Sequence, residues 1–155
     1  MSTDRIEKST VLKAPLDRVW RAISDSAQFG TWFGMSIDGP FVAGTRVSAV
    51  ITPTAVDDEV AERQRPHAGQ PSPLQIVAVE PKHRLAFRWN ALPHSDVTTL
   101  VEFTLTEVDD GVLLEIVESG FDALPPDERT SVFDGNSEGW SIQTRLIDTY
   151  LQRYP

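Results

Sequence analysis

Two alternating runs flank one tight turn in Val97-Thr98-Thr99-Leu100-Val101-Glu102-Phe103-Thr104-Leu105-Thr106-Glu107-Val108-Asp109-Asp110-Gly111-Val112-Leu113-Leu114-Glu115-Ile116-Val117-Glu118-Ser119. The runs predict strands over 97–106 and 112–119. Asp-Gly supplies the positive φ that a short hairpin connection needs, so the two strands are antiparallel neighbours. Side chains alternate between the two faces of a strand. Val101, Phe103 and Leu105 therefore share one face, and Val112, Leu114 and Ile116 share the matching face of the next strand. Glu118 continues that second series, the one carboxylate in an otherwise apolar register.

Upstream, period-two patterns rich in β-branched and aromatic residues predict strands over 46–52, 74–80 and 84–90, with Pro81-Lys82-His83 turning between the last two. Leu85, Phe87 and Trp89 lie on one face. A weakly patterned strand is expected over 5–13. Between it and the sheet, Leu16, Val19, Trp20 and Ile23 recur at helical spacing, with Pro15 at the start and Asp17 in the first turn, so a helix is expected over 15–24. Asp25 or Ser26 caps a second short helix that carries Phe29, Trp32 and Phe33 and stops at Gly34. Downstream, Trp140, Thr144, Ile147 and Leu151 form the stripe of a last helix, capped at Asn136 or Ser137 with Glu138 in its first turn. Residues 53–73 carry four prolines and few large apolar side chains, and are expected to be a long excursion with a helical turn near 59–64, suited to a lid or a binding loop. Residues 121–136 are expected to be an irregular approach to the last helix.

The order is strand, two short helices, five or six mostly antiparallel strands, one long C-terminal helix. That is an α+β architecture of about six strands with helices gathered on one face, and the terminal helix must cover the inner face of the sheet. The chain has 155 residues, 40% of them apolar, which fits one domain over 1–155. Lys plus Arg number 14 and Asp plus Glu 23, a net charge of −9 that would repel a phosphate backbone, so nucleic acid is not an expected partner. The absence of Cys removes disulfides, thiolate metal sites and thiol nucleophiles together. No apolar run is long enough to cross a bilayer, and the start lacks the apolar stretch of a signal peptide, so membrane insertion is not expected and a cytoplasmic protein is.

Val11-Leu12-Lys13-Ala14-Pro15-Leu16-Asp17-Arg18-Val19-Trp20-Arg21-Ala22-Ile23, then Phe29-Gly30-Thr31-Trp32-Phe33, then Glu118-Ser119-Gly120-Phe121, Gly139-Trp140 and Tyr150-Leu151 resemble the Hsp90-ATPase-activator-like (AHSA1-type) branch of the START/Bet v 1-like superfamily. The resemblance spans nearly the whole chain. It implies a helix-grip fold, a curved antiparallel sheet holding a long C-terminal helix with a ligand cavity between them. Members of the superfamily commonly bind hydrophobic small molecules or lipids, and some are cyclases or dehydratases. The eukaryotic co-chaperone behind the family name has a separate domain ahead of its START-like one. Here the first strand starts a few residues after Met1, so an Hsp90 interaction is doubtful.

The expected wall of a pocket for a small hydrophobic ligand comprises Trp32, Phe33 and Met35 from the early helices, Phe87, Trp89 and Phe103 from the sheet, Phe121 beyond it and Trp140 from the last helix. A pocket lined by apolar and aromatic groups with a few polar ones is the usual small-molecule site. Glu118 is the acid–base candidate, since an inward carboxylate suits proton transfer, unless it pairs with Arg88 or Arg145. His94 could reach the mouth of the pocket. No His, Asp or Glu spacing suggests a metal, no Gly-rich phosphate loop suggests a nucleotide, and no nucleophile elbow is present, so neither metal nor cofactor is expected. Gly139 sits either near a helix cap or where the helix must approach the sheet closely. Exposed sheet edges leave a homodimer open.

Overall fold

The computed structural model describes residues 4–92 and 95–155. In chain order it contains β1 (Arg5–Leu12), α1 (Leu16–Ser24), α2 (Ser26–Phe33), β2 (Met35–Ile37), β3 (Arg46–Val47), β4 (Ala49–Ile51), α3 (Asp58–Gln64), β5 (Leu74–Glu80), β6 (Arg84–Asn90), β7 (Thr98–Val108), β8 (Gly111–Ser119) and α4 (Pro126–Arg153). Single 3-10 turns follow α3 (Arg65–His67) and precede α4 (Phe121–Ala123). Six strands form one antiparallel sheet in the order β1-β8-β7-β6-β5-β3. β2 and β4 pair separately as a small ribbon. This is the expected α+β helix-grip arrangement.

The strand register explains the core. Phe103 lies opposite Ile116 and Leu105 opposite Leu114, while Leu85 lies opposite Phe103 and Phe87 opposite Val101. Because antiparallel partners put side chains on the same face, these residues form one apolar floor, and all of them are buried. α1 adds Val19, Ala22 and Ile23, α2 adds Phe29 and Trp32, and α4 lays Leu146, Ile147, Tyr150 and Leu151 over the floor. Asp25 ends α1 and starts α2, its carboxylate accepting from the N–H groups of Ala27 and Gln28 at 3.0 and 3.2 Å. Gly34 then ends α2 with φ 99°, a left-handed conformation that costs a side-chain-bearing residue far more.

Three elements depart from the sequence expectation. α4 begins at Pro126, ten residues before the expected caps, and runs for 28 residues. Asn136 and Ser137 are therefore helix interior. Pro126 opens the helix where a missing N–H is harmless, and Asp127 and Glu128 complement the dipole. The strand expected over 46–52 is divided, because β3 pairs with β5 whereas β4 turns to β2. Val47 and Ala49 are both buried, so the alternation persists while the pairing partner changes. Met35 belongs to β2 rather than to an early helix. At the β7–β8 hairpin the positive φ is carried by Gly111 alone, at 149°, where an added Cβ would stand 2.2 Å from the Leu12 carbonyl oxygen.

Candidate functional site

One end of the space between sheet and helix is filled and the other is open. At the filled end Phe29, Leu85, Phe87, Phe103, Leu114 and Ile147 are fully buried in a continuous cluster. At the open end a cleft of about 400 Å³ lies between the end of α2, the β2–β4 ribbon, α3 and the first half of α4. This volume falls in the range that holds small molecules. Its walls are Phe33, Met35, Ile51, Val60, Trp89, Trp140 and Ile142, with Gln64, Asn136 and Gln143 as polar members and Arg63, His67 and Ser72 around them.

The opening comes from two glycines. Gly135 and Gly139 are four residues apart, hence on one face of α4, and both line the cleft. A Cβ built on either meets nothing within 4 Å. Gly139 is thus neither near a cap nor at a close helix–sheet approach, and both sequence readings of it are replaced by a third: its missing side chain leaves room. The excursion supplies the opposite wall. Gln64 latches α3 onto the end of α2, with its amide N–H donating to the Phe33 carbonyl at 3.2 Å and its oxygen accepting from Thr54 N at 2.7 Å. From α4, Gln143 donates to the same Phe33 carbonyl at 3.0 Å. Arg63 and Glu138 meet at 3.3 Å as an exposed pair joining α3 to α4.

Behind the aromatic wall lies Glu118, fully buried at the end of β8. Its Oε1 accepts from the indole N–H of Trp140 at 2.8 Å, and its Oε2 accepts from that of Trp89 at 2.8 Å. The Thr99 hydroxyl donates to Oε2 at 2.5 Å, and the Asn136 amide reaches both oxygens, at 3.0 and 3.2 Å. An ionised carboxylate offers about four acceptor positions, and these donors occupy them all. A buried carboxylate left without partners would be strongly destabilising. Every donor here is neutral. The alternative of an arginine partner is not realised: Arg88 is exposed and reaches Thr98 at 3.5 Å, and Arg145 is exposed on α4. The donors come from β6, β7 and two successive turns of α4, so Glu118 fixes the separation of sheet and helix where the cleft begins.

Of the residues expected in the pocket wall, Phe33, Met35, Trp89 and Trp140 are brought together on the cleft. Trp89 and Trp140 stack at 5.6 Å with 24° between their planes, and Phe33 packs 6.0 Å from the first and 5.9 Å from the second. Trp32, Phe87, Phe103 and Phe121 lie elsewhere. The Trp32 indole donates to the Ala22 carbonyl at 2.8 Å and fills the α1–α2 junction. Phe87 and Phe103 face each other at 6.3 Å inside the filled end. Phe121 packs edge-on against Phe133 of α4 at 5.4 Å. His94 lies outside the described residues.

Thr99, Gly135, Asn136 and Gln143 were not singled out as site residues from sequence. Thr99 was legible, since it extends the inward series of Val101, Phe103 and Leu105 by one step. Gly135 and Asn136 depend on α4 starting at Pro126, which makes residue 136 part of the turn preceding Trp140, whereas Gln143 already lay within the expected helix, three residues after Trp140.

A curved antiparallel sheet closed by one long C-terminal helix, with an aromatic cleft at one end, defines the helix-grip class of the START/Bet v 1-like superfamily. Within it the chain belongs to the family described as Activator of Hsp90 ATPase homolog 1-like protein, whose model matches residues 13–152. No curated protein matches the chain. It is similar to the crystal structure of a protein from Mesorhizobium loti, with 25% identity over 97% of this chain and 98% of that one and a TM-score of 0.74. A Mycobacterium smegmatis protein follows with 21% identity, 99% and 94% coverage and a TM-score of 0.73. An Arthrobacter aurescens protein has 16% identity, 97% and 87% coverage and a TM-score of 0.76. These likenesses carry the fold. No helix among the described residues is long and apolar enough to cross a membrane.

Proposed function

We propose that the protein binds an apolar or amphipathic small molecule in the cleft between α3 and the first half of α4. The observation that carries this reading is the pair of interior helix glycines, 135 and 139, whose Cβ positions are open. Glycine inside a helix costs about 1 kcal/mol relative to alanine, and here no close backbone contact offsets that cost. Room for a ligand is the use that the geometry offers. The aromatic wall of Phe33, Trp89 and Trp140 and the latched excursion support the same reading.

Catalysis through Glu118 gains no comparable support. The carboxylate does not line the cleft, since its own donors stand between it and the space, and each acceptor position is already engaged. The test is titration of tryptophan emission with fatty acids, sterols, aromatic polyketides and aromatic amines, in the wild type and in Gly139→Leu. A Cβ at 139 meets nothing within 4 Å and the rest of a leucine would take up space in the cleft, so this variant should weaken any ligand by about tenfold or more while the protein stays folded. If no compound in the panel alters emission or melting temperature, the binding reading fails.

A further inference from the structure

We infer that the ligand is an organic cation, a quaternary or protonated amine on an apolar body, with its charged head against the faces of Phe33, Trp89 and Trp140. This rests on the cleft being the binding site and adds the chemical class of its occupant. Aromatic faces attract cations through the ring quadrupole, most strongly for Trp. Three such rings are assembled here at 5.6 to 6.0 Å from one another, and all three line the cleft.

The hydrogen bonding strengthens this attraction. Each indole directs its N–H, the positive edge of the ring, onto Glu118 at 2.8 Å. Donation to a carboxylate shifts electron density into the indole, so its face becomes more negative. Glu118 itself lies behind that wall with only neutral hydrogen-bond donors around it. In a medium of low effective dielectric such a charge is felt well beyond contact distance. The net charge of −9 acts in the same sense at longer range, concentrating cations and repelling anions at the surface.

Among the described residues of the lining, Arg63 is the one fully charged side chain, and Glu138 stands 3.3 Å from it to offset its charge. Arg63 is exposed, and His67 is exposed on the turn after α3. A carboxylate-headed amphiphile would therefore meet rings whose faces repel it.

The experiment compares three probes by tryptophan quenching on the full chain. They are benzyltrimethylammonium, its carbon isostere neopentylbenzene, which differs only in charge, and 4-tert-butylbenzoate. The cation should bind about tenfold tighter than the isostere, a ratio typical of a desolvated cation–π contact, and the benzoate should bind most weakly. Glu118→Gln should bring the ratio of cation to isostere below about threefold; the ratio is the readout because loss of the carboxylate also loosens the wall and weakens both probes. Trp89→Leu, which removes one face and leaves Glu118 in place, should reduce the same ratio should the first variant prove unstable. Equal binding of cation and isostere by the wild type, or a ratio that survives both substitutions, overturns the cation assignment and leaves the cleft as a binding site for neutral molecules. Failure of all three probes to change emission or melting temperature removes the cleft reading itself.

Discussion

The two ends of the sheet–helix interior are built from the same kinds of residue and reach opposite results. At the filled end Phe29, Phe87, Phe103 and Ile147 are fully buried, and apolar packing fills the distance between helix and sheet. At the open end Trp140 is buried as deeply as many core residues, yet beside it and about one turn earlier α4 carries Gly139 and Gly135, whose Cβ positions meet nothing within 4 Å. A polar node at Glu118 sets the distance there in place of packing. Apolar contacts close space until atoms meet, whereas a carboxylate with four directed donors holds its neighbours at fixed hydrogen-bond lengths and can keep a gap beside them. One fold thus combines a rigid floor with a preformed hollow.

The largest expected effect lies at the filled end. Phe87→Ala removes a fully buried ring among Phe29, Trp89 and Phe103, and should cost about 3–5 kcal/mol in denaturant unfolding. A cost below about 1 kcal/mol would mean that this end tolerates voids as the other does. Next in size is Glu118→Gln. Its new NH₂ group would face donors from Trp89, Thr99, Asn136 or Trp140, leaving buried N–H groups without acceptors at a cost of roughly 2–3 kcal/mol. Loss of the near-ultraviolet tryptophan signal should accompany it. A variant as stable as the wild type would show that packing, not the carboxylate, holds the open end together.

The asymmetry also marks what could be read from the chain. β5 and β6 fall over 74–80 and 84–90 as expected, and Glu118 points inward as its alternation with Leu114 and Ile116 requires. Period-two patterns survive because one face of each strand is buried along its whole length. The start of α4 did not follow from Asn136-Ser137-Glu138-Gly139, since Asn, Ser and Gly are favoured at a helix end and weak in its interior, and Glu suits a first turn. A usable signal lay earlier, in Pro126-Asp127-Glu128, the same proline and acidic first turn that open α1 at Pro15 to Asp17. Reading the glycines as punctuation hid their use. The placement of Phe87 and Phe103 in the floor and of Trp89 in the wall depends on how far α4 overlaps each strand, a tertiary distance that alternation does not contain.

A substitution of opposite sign sharpens the comparison. Gly139→Ala should raise stability by roughly 0.5–1 kcal/mol, because the helix gains propensity and the added methyl meets no neighbour. Gly30 gives the contrast: its Cβ would lie 2.2 Å from the Met35 carbonyl oxygen, so Gly30→Ala should destabilise although it too is a helical glycine. Thermal melts of the two variants should move in opposite directions. Movement in the same direction would remove the distinction between glycines that permit contact and glycines that leave space.

The smallest effect belongs to neither end but to the outside of the grip, where Lys82 in the β5–β6 turn meets Asp17 of α1 at 2.7 Å. The hydrogen bond and charge of Lys82 hold the Asp17 carboxyl below its usual range, and Asp17 in turn raises Lys82. A lowered carboxyl value contributes stability that is present above the ordinary carboxylate range and lost as pH falls through the lowered value. A raised ammonium value contributes stability that is present below the ordinary lysine range and lost as pH rises through the raised value. Both contributions are therefore intact at neutral pH and disappear only towards the acid and alkaline extremes. Both side chains are more than half exposed, so solvent and salt screen the pair. Asp17→Asn should lower the melting midpoint by less than Gly139→Ala raises it, and the difference should vanish near about 1 M salt. A loss that persists in high salt would show that α1 is held against the turn by more than this pair, and that the outer clamp, like Glu118 inside, sets a spacing of its own.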